Sequence, residues 1–169
     1  MEIHILGNGP SIELYTPQDS FVVGCNFQKH RCDINVVVDC RPFLVYAGNR
    51  ELLPNRKLIT SRYAIQTIKE IGIYDEFEYV HVIDYLEKYI SAGHIAVNWA
   101  LSNKYNKIHL WGFDSIWADT LETKTDALVE RNRLELDLYV HWREKWQPYK
   151  THNIIVHNTT EGTQLKELL

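Results

Sequence analysis

The sequence predicts an α/β fold with a mainly parallel sheet and helices on both faces. Two observations support this prediction. Short apolar runs alternate along the chain with longer segments in which apolar residues recur every three to four positions. Several of these runs have consecutive apolar residues, such as Val-Val-Val at residues 36–38, which is typical of strands covered on both faces and therefore of parallel sheets.

Seven of the apolar runs are predicted to be strands. The first leads into Gly-Asn-Gly-Pro-Ser, the second into Cys-Asn and the sixth into Gly-Phe-Asp, while the third ends at Asp39. In chain order, the predicted strands are residues 2–6, 20–24, 33–38, 57–60, 78–83, 107–111 and 153–157.

The segments between these strands contain the predicted helices. Pro42 suits the first turn of a short helix, where its missing N–H would have no partner in any case. Ile95, Ala96 and Trp99 follow a helical period after Ser91. Residues 84–89 are predicted to be a turn or a short helix. The longer predicted helices are residues 41–48, 61–72, 91–104, 126–146 and 162–169.

The composition predicts a single globular domain spanning residues 1–169. Hydrophobic residues make up 45% of the chain and charged residues 24%, which is ordinary for such a domain. The formal net charge of -4 argues against a nucleic-acid partner, because proteins that bind nucleic acids are normally basic. No apolar run approaches the roughly 20 residues of a membrane span, and no secretory signal is recognised.

The cysteine and histidine patterns predict neither disulfides nor a metal site. Cys25, Cys32 and Cys40 are odd in number and form no C-x-x-C pair, so we expect free thiols and a cytoplasmic location. The eight histidines form no H-x-x-x-H or H-E-x-x-H motif. No D-x-D pair follows a predicted strand. We therefore expect no required cofactor, only a bound ligand.

The predicted strand ends suggest where that ligand binds. In the first turn, Gly7 and Gly9 would let the backbone approach a ligand, and free N–H groups there would suit a phosphate or a ribose. Because the carboxyl ends of parallel strands meet at one edge, residues 7–11, 25–26 and 112–114 are expected to converge on one pocket.

Four side chains supply the chemistry of the predicted pocket. Asn8 and Asn26 offer amide donors and acceptors, and Asp114 could accept hydrogen bonds from ribose hydroxyls. Ser91 opens a helix whose N–H groups could contact a phosphate. Three of them have a structural alternative: Ser91 as a helix N-cap, Asn26 as a strand terminator, and Asp114 as a cap for nearby N–H groups. The glycine turn could likewise be an ordinary turn.

Four motifs, in their order and strand context, resemble those of bacterial lipooligosaccharide sialyltransferases. They are Gly-Asn-Gly-Pro-Ser, Cys-Asn-Phe, Ile-Ser-Ala-Gly and strand-Gly-Phe-Asp, within residues 1–26 and 90–114. They are also similar to the wider group of small glycosyltransferase-like proteins that includes archaeal-type 6-hydroxymethylpterin pyrophosphokinases. The resemblance implies a Rossmann-like fold, a nucleotide-sugar donor of the CMP-sugar type and metal-independent chemistry. It implies nucleotide binding by Asn8, Ser11, Asn26, Ser91, Gly93, Gly112 and Asp114.

The resemblance ends after Gly-Phe-Asp. The sialyltransferases have a lid there that supplies tyrosines and a catalytic histidine, whereas residues 115–125 contain Trp117 and Asp119 but no tyrosine or histidine. Asp39 and Asp119 are therefore the candidate general bases, with a helix cap as the alternative role of Asp39. His94 is a weaker candidate, because a structural or surface position suits it better.

Three functions follow as alternatives. The first is a glycosyltransferase-like enzyme. The second is a pyrophosphokinase-like diphosphate transfer from ATP, which would need Mg²⁺. The third is a non-catalytic module that sequesters or senses a nucleotide, which the missing lid histidine favours. Trp142 and Trp146 are four residues apart on one helix face, which predicts core packing or, alternatively, a homo-oligomer contact.

Overall fold

The computed structural model describes residues 1–53, 55–120 and 137–169 and contains an eight-stranded sheet. The order is β5-β4-β3-β2-β1-β6-β7-β8; every neighbouring pair is parallel except β7 and β8. The predicted α/β fold with a mainly parallel sheet is thus confirmed. The strands are β1 (Glu2–Leu6), β2 (Phe21–Cys25), β3 (Ile34–Val36), β4 (Lys57–Ser61), β5 (Glu78–Ile83), β6 (Lys107–Trp111), β7 (Ile154–Val156) and β8 (Thr163–Gln164).

The α-helices lie between these strands, mostly where the sequence predicts them. Short 3₁₀ turns follow β1 at Pro10–Leu14 and β6 at Asp114–Ile116. Residues 84–89 contain no helix; the chain bends at Asp84 and turns at Lys88 and Tyr89. Residues 126–136 of the predicted helix 126–146 lie outside the described residues. The α-helices are α1 (Cys40–Tyr46), α2 (Arg62–Glu70), α3 (Ala92–Ser102), α4 (Leu138–Trp146) and α5 (Leu165–Leu168).

The chain changes direction across the sheet at β1. It passes outward from β1 through β2, β3 and β4 to β5, and then returns through α3 to place β6 on the other side of β1. In open α/β sheets, ligands bind at such a switch point, outside the carboxyl ends of the strands. This order places the turn at residues 7–11 beside the loop at residues 112–114.

Alternation along the strands divides the core between the two faces of the sheet. Ile5 and Ile59 pack in one cluster with Ala96 of α3, while Leu58 packs in a second cluster with Phe43 of α1. Each of these side chains is 0–1% exposed, and burying one large apolar side chain stabilises the fold by about 1.5–3 kcal/mol. Helices therefore cover both faces, as the unbroken apolar runs predict.

The last predicted helix is partly wrong. The prediction spans residues 162–169, whereas Thr163 and Gln164 form β8, opposite Val156 and Ile155 of β7. Only Leu165–Leu168 is helical. Pairing with β7 outweighs local helix preference here, and φ of +79° at Gly162 turns the chain into the strand. Among the described helices, none has the length and apolar character needed to cross a membrane.

Candidate functional site

Backbone hydrogen bonds join the loops after β1 and β6. The N–H of Gly7 donates to the carbonyl of Trp111 at 2.7 Å, and the N–H of Gly9 donates to the carbonyl of Gly112 at 2.8 Å. These bonds extend the β1–β6 ladder beyond its last pair, Leu6 and Trp111. The expectation of free N–H groups at this turn is therefore wrong for Gly7 and Gly9.

Close contact between the two loops explains their glycines. A Cβ on Gly7 would lie 2.5 Å from the carbonyl oxygen of Gly112, and a Cβ on Gly9 would overlap the carboxylate of Asp114. Gly112 itself has φ of +73°, a backbone conformation that residues with a Cβ rarely adopt. Packing of one loop on the other, rather than access for a ligand, accounts for these residues.

Asp114 binds Ser11 across this junction. Its carboxylate accepts the Ser11 N–H at 3.0 and 3.1 Å and the Ser11 hydroxyl at 2.7 Å. Only 9% of Asp114 is exposed. This is the capping role given above as the structural alternative. Oδ2 accepts both the N–H and the hydroxyl of Ser11, whereas Oδ1 accepts only the N–H and keeps a second lone pair, so the geometry is also compatible with a ribose hydroxyl at Oδ1.

A buried amide pair joins the first loop to the loop after β2. The side-chain N–H of Asn8 donates to the carbonyl of Cys25 at 2.9 Å. The amide of Gln28 donates to Oδ1 of Asn8 at 3.0 Å and approaches the carbonyls of Leu6 and Gly7 at 3.1 and 3.0 Å. The structure thus brings together the three loops that the sequence predicts to converge.

Sequence reasoning missed Gln28, which is 6% exposed and central to this junction. Its side chain contacts loops that precede it by about 20 positions, as its bonds to Leu6 and Asn8 show. The only available signal was its place directly after a buried strand and Phe27. That position alone does not distinguish a buried glutamine from a surface one.

Two amide oxygens in the junction lack a hydrogen-bond partner among the described atoms: Oδ1 of Asn26 and Oε1 of Gln28, both buried. Asn26 has φ of +59°, and its N–H donates to the carbonyl of Val36 at 2.9 Å. An unsatisfied buried polar group costs about 1–3 kcal/mol. A ligand that donates a hydrogen bond at this position would remove that cost.

Ser91 is the N-cap of α3. The backbone N–H and the hydroxyl of Ser91 lie 3.0 and 2.7 Å from Nδ1 of His94, and the His94 N–H faces the Ser91 hydroxyl. Nε2 of His94 lies 3.2 Å from the carbonyl of Trp142, so the ring donates there and accepts at Nδ1. The Ser91 side chain thus serves the helix cap, the structural alternative to the predicted phosphate contact.

His94 is fully buried and therefore does not reach the pocket edge as a base. Burial lowers the pKa of His94 to about 4, with the Trp142 carbonyl opposing that shift. The neighbouring Gly93 packs closely against the ring of Phe113. A Cβ at position 93 would overlap that ring. This contact brings the start of α3 against the loop after β6.

The two candidate bases lie on separate loops. Asp39 is exposed and precedes α1, to which its side chain forms no capping hydrogen bond. The Asp119 side chain is 70% exposed and pairs with Arg143 at 2.9 Å. The strands that precede them, β3 and β6, are three spacings apart, or about 14 Å. The structure therefore does not bring Asp39 and Asp119 to one reacting atom.

The described residues contain one group of metal-ligand type, toward the amino ends of β1 and β6: Glu2, His4 and His109, with ligand atoms within 4.8 Å of one another. The indole N–H of Trp111 donates to Nδ1 of His4 at 3.0 Å, so neutral His4 carries its proton on Nε2. A metal needs a lone pair on that atom, and this hydrogen bond therefore opposes metal binding.

Comparisons of the chain with models of protein families, with curated proteins and with solved structures gave no match. The fold and the contacts define the class: an α/β protein with a mostly parallel sheet, whose loops after β1, β2 and β6 meet at the switch point.

Proposed function

We propose that this protein binds a nucleotide or nucleotide sugar at the carboxyl edge of a Rossmann-like sheet and acts as a glycosyltransferase-like enzyme on a CMP-sugar type of donor. The observation that supports this most strongly is the buried, unpartnered Oδ1 of Asn26 at the junction of the three loops. A base amino group or a ribose hydroxyl would supply the missing hydrogen bond.

The loops around Asn26 favour a polar ligand of defined shape. Asn8 and Gln28 hold the first two loops together, and Ser11 and Asp114 hold the first and third. Side chains fixed in this way lose little freedom when a ligand binds, which strengthens binding. Gly93 and the N-terminus of α3 lie on the same side, where backbone N–H groups attract phosphate.

Glycosyl transfer needs a base on the acceptor side. The acceptor oxygen bonds to the anomeric carbon, the bond from that carbon to the donor's phosphate oxygen breaks, and a base takes the hydroxyl proton. Asp39 is the better candidate, because it is exposed and follows β3, the neighbour of the strand that ends just before Asn26. The free thiols of the described cysteines fit a cytoplasmic location.

The test is calorimetric titration of the whole chain with CMP, CDP, UDP, GDP and ATP, with and without Mg²⁺. We expect a cytidine nucleotide to bind without Mg²⁺. Asn26→Gly keeps the backbone conformation and removes the amide, so it should weaken binding at least about tenfold, or about 1.4 kcal/mol. Lys104→Gly is the matched control, since Lys104 has a similar φ of +65° at the other end of α3.

The outcomes separate the three functions. Failure of every nucleotide to bind rejects the proposal. Binding with slow hydrolysis or transfer of a donor sugar supports it. ATP binding that requires Mg²⁺ indicates diphosphate transfer instead, and tight binding with an unchanged donor after long incubation indicates a non-catalytic module.

A further inference from the structure

Arg143 of α4 joins this helix to the loop after β6. Its Nε donates to the carbonyl of Ser115 at 2.8 Å, and its Nη1 lies 2.9 Å from a carboxylate oxygen of Asp119. The guanidinium carbon lies 5.0 Å from the ring centre of Tyr139, one turn earlier in the helix. These contacts hold the planar guanidinium in one orientation.

The remaining guanidinium nitrogen of Arg143, Nη2, is buried and lacks a hydrogen-bond partner among the described atoms. No other arginine or lysine nitrogen in the described part of the chain is buried in this way. Arginine stays charged in proteins, and a charged donor without an acceptor costs more than the roughly 1–3 kcal/mol of a neutral one. The side chain as a whole is 29% exposed, so a ligand from solvent can reach this residue.

Packing of α4 fixes where this guanidinium lies. The carbonyl of Trp142, the residue before Arg143, lies 3.2 Å from Nε2 of His94 near the start of α3. The rings of Trp146 and Phe113 meet edge to face at 5.9 Å, and Trp146 is 2% exposed. The core packing predicted for Trp146 is therefore confirmed. Both contacts hold α4 on the side of the molecule where α3 begins.

Arg143 thus lies beside the proposed nucleotide site. Its partner Ser115 directly follows Asp114, whose carboxylate is compatible with a ribose hydroxyl. The start of α3, where backbone N–H groups attract phosphate, packs against the same loop through Gly93 and Phe113. A guanidinium with unused N–H groups complements a phosphate, because phosphate oxygens accept strong hydrogen bonds from arginine.

We propose that Nη2 of Arg143 binds the phosphate of the nucleotide or nucleotide sugar. This inference rests on the function proposed above and names the positive charge that the phosphate meets. In the transfer step, the electron pair of the breaking bond stays on the phosphate oxygen, and the acceptor's hydroxyl proton goes to the base. The phosphate therefore gains one negative charge, which a fixed guanidinium stabilises.

The first test is calorimetric titration of the whole chain with CMP. Arg143→Met removes the charge and should weaken CMP binding at least about tenfold, or about 1.4 kcal/mol. Arg143→Lys keeps a positive charge and should bind CMP with an affinity between those of the wild type and Arg143→Met. Lys150→Met is the matched control, because it also removes one positive charge but at an exposed position beyond α4, and it should bind CMP like the wild type.

Three results of this titration would overturn the proposal: equal affinity of the wild type and Arg143→Met, an equal loss in Lys150→Met, or an Arg143→Lys variant that binds CMP no better than Arg143→Met. Circular dichroism checks that each variant is folded.

The second test needs no variant. In NMR spectra of the ¹⁵N-labelled wild type, the assigned Nε–H signal of Arg143 should shift when CMP or inorganic pyrophosphate is added. A signal that stays in place at saturating CMP overturns the proposal.

The two tests separate this inference from the proposed function. If no nucleotide binds but pyrophosphate shifts the Arg143 signal, the phosphate site at Arg143 stands and the nucleotide function fails. If CMP binds without any effect on Arg143, the nucleotide function stands and the assignment of Arg143 fails. If neither CMP nor pyrophosphate binds, both are rejected.

Discussion

The carboxylate of Asp114 and the hydroxyl of Ser11 lie 2.7 Å apart and are separated by 103 positions in the chain. The same carboxylate accepts the Ser11 N–H. This bond holds the 3₁₀ turn after β1 against the 3₁₀ turn after β6, directly at the switch point of the sheet.

Asp114→Ala should therefore lower stability as well as ligand affinity. Hydrogen bonds to a charged group contribute about 1.5–3 kcal/mol, and the free energy of unfolding should fall by that amount. Ser11→Ala removes only the hydroxyl and should cost less. Urea denaturation of the two variants measures both effects. Equal losses of unfolding free energy in the two variants would contradict the hydrogen bond from the Ser11 N–H to the Asp114 carboxylate.

Gln28→Glu should destabilise the protein more than Gln28→Ala. The Gln28 amide nitrogen lies within 3.1 Å of oxygens of Leu6, Gly7 and Asn8, which share its two N–H groups, and a glutamate would place an acceptor against them. We expect a loss of about 1–3 kcal/mol for the alanine and more for the glutamate. Gln18→Glu, at an exposed position, is the control and should be nearly neutral in thermal denaturation.

Gly93→Ala should disturb the contact between α3 and the loop after β6. The added Cβ would meet the ring of Phe113, and overpacking of this kind costs about 1–3 kcal/mol. Gly48→Ala is the control, because the nearest atom to its Cβ would be 3.5 Å away. Replacing Phe113 by Leu in the Gly93→Ala background should recover part of the lost thermal stability. No recovery would place the strain elsewhere.

Acid should destabilise the protein through its buried histidines. Burial lowers the pKa of His94, His109 and His157 to about 4, against about 6.5 when unfolded. Their contribution is fully present above pH 6.5 and is lost as the pH falls toward 4, because the unfolded chain binds protons first. Urea midpoints between pH 7.5 and pH 4.5 should show this loss.

A variant isolates the part of the acid effect due to His94. His94→Gln removes that titration and should flatten the dependence of stability on pH, even if the variant is less stable at pH 7.5. His152→Gln, at an exposed position, should leave the slope unchanged. If stability depends on pH with the same slope in the wild type and in His94→Gln, His94 does not contribute to the acid effect.

The fold was largely predictable from the sequence, because apolar residues at strand or helix spacing indicate which segments are buried. The run that became β1 and the helical spacing of Ile95 and Trp99 both follow from contact with the core. β8 was missed because its two residues form a strand only through pairing with β7. The sequence of residues 162–169 alone does not indicate that two of them pair with β7.

The candidate site was predictable in position but not in its contacts. Parallel strands bring Asn8, Asn26 and Asp114 to one edge, as their strand ends predict. Which groups bind each other depends on distances between loops far apart in sequence, so the Asp114–Ser11 bond and the role of Gln28 did not follow from motifs.

The backbone bonds from Gly7 and Gly9 into the β6 loop have a kinetic consequence. Both turns are ordered by folding itself, and fixing a residue's backbone costs about 1–2 kcal/mol that a ligand then does not have to supply. Their amide protons should exchange with solvent at rates close to those of the central strands. Ligand entry should accordingly proceed in one step, with a small entropy change and without a slow loop rearrangement.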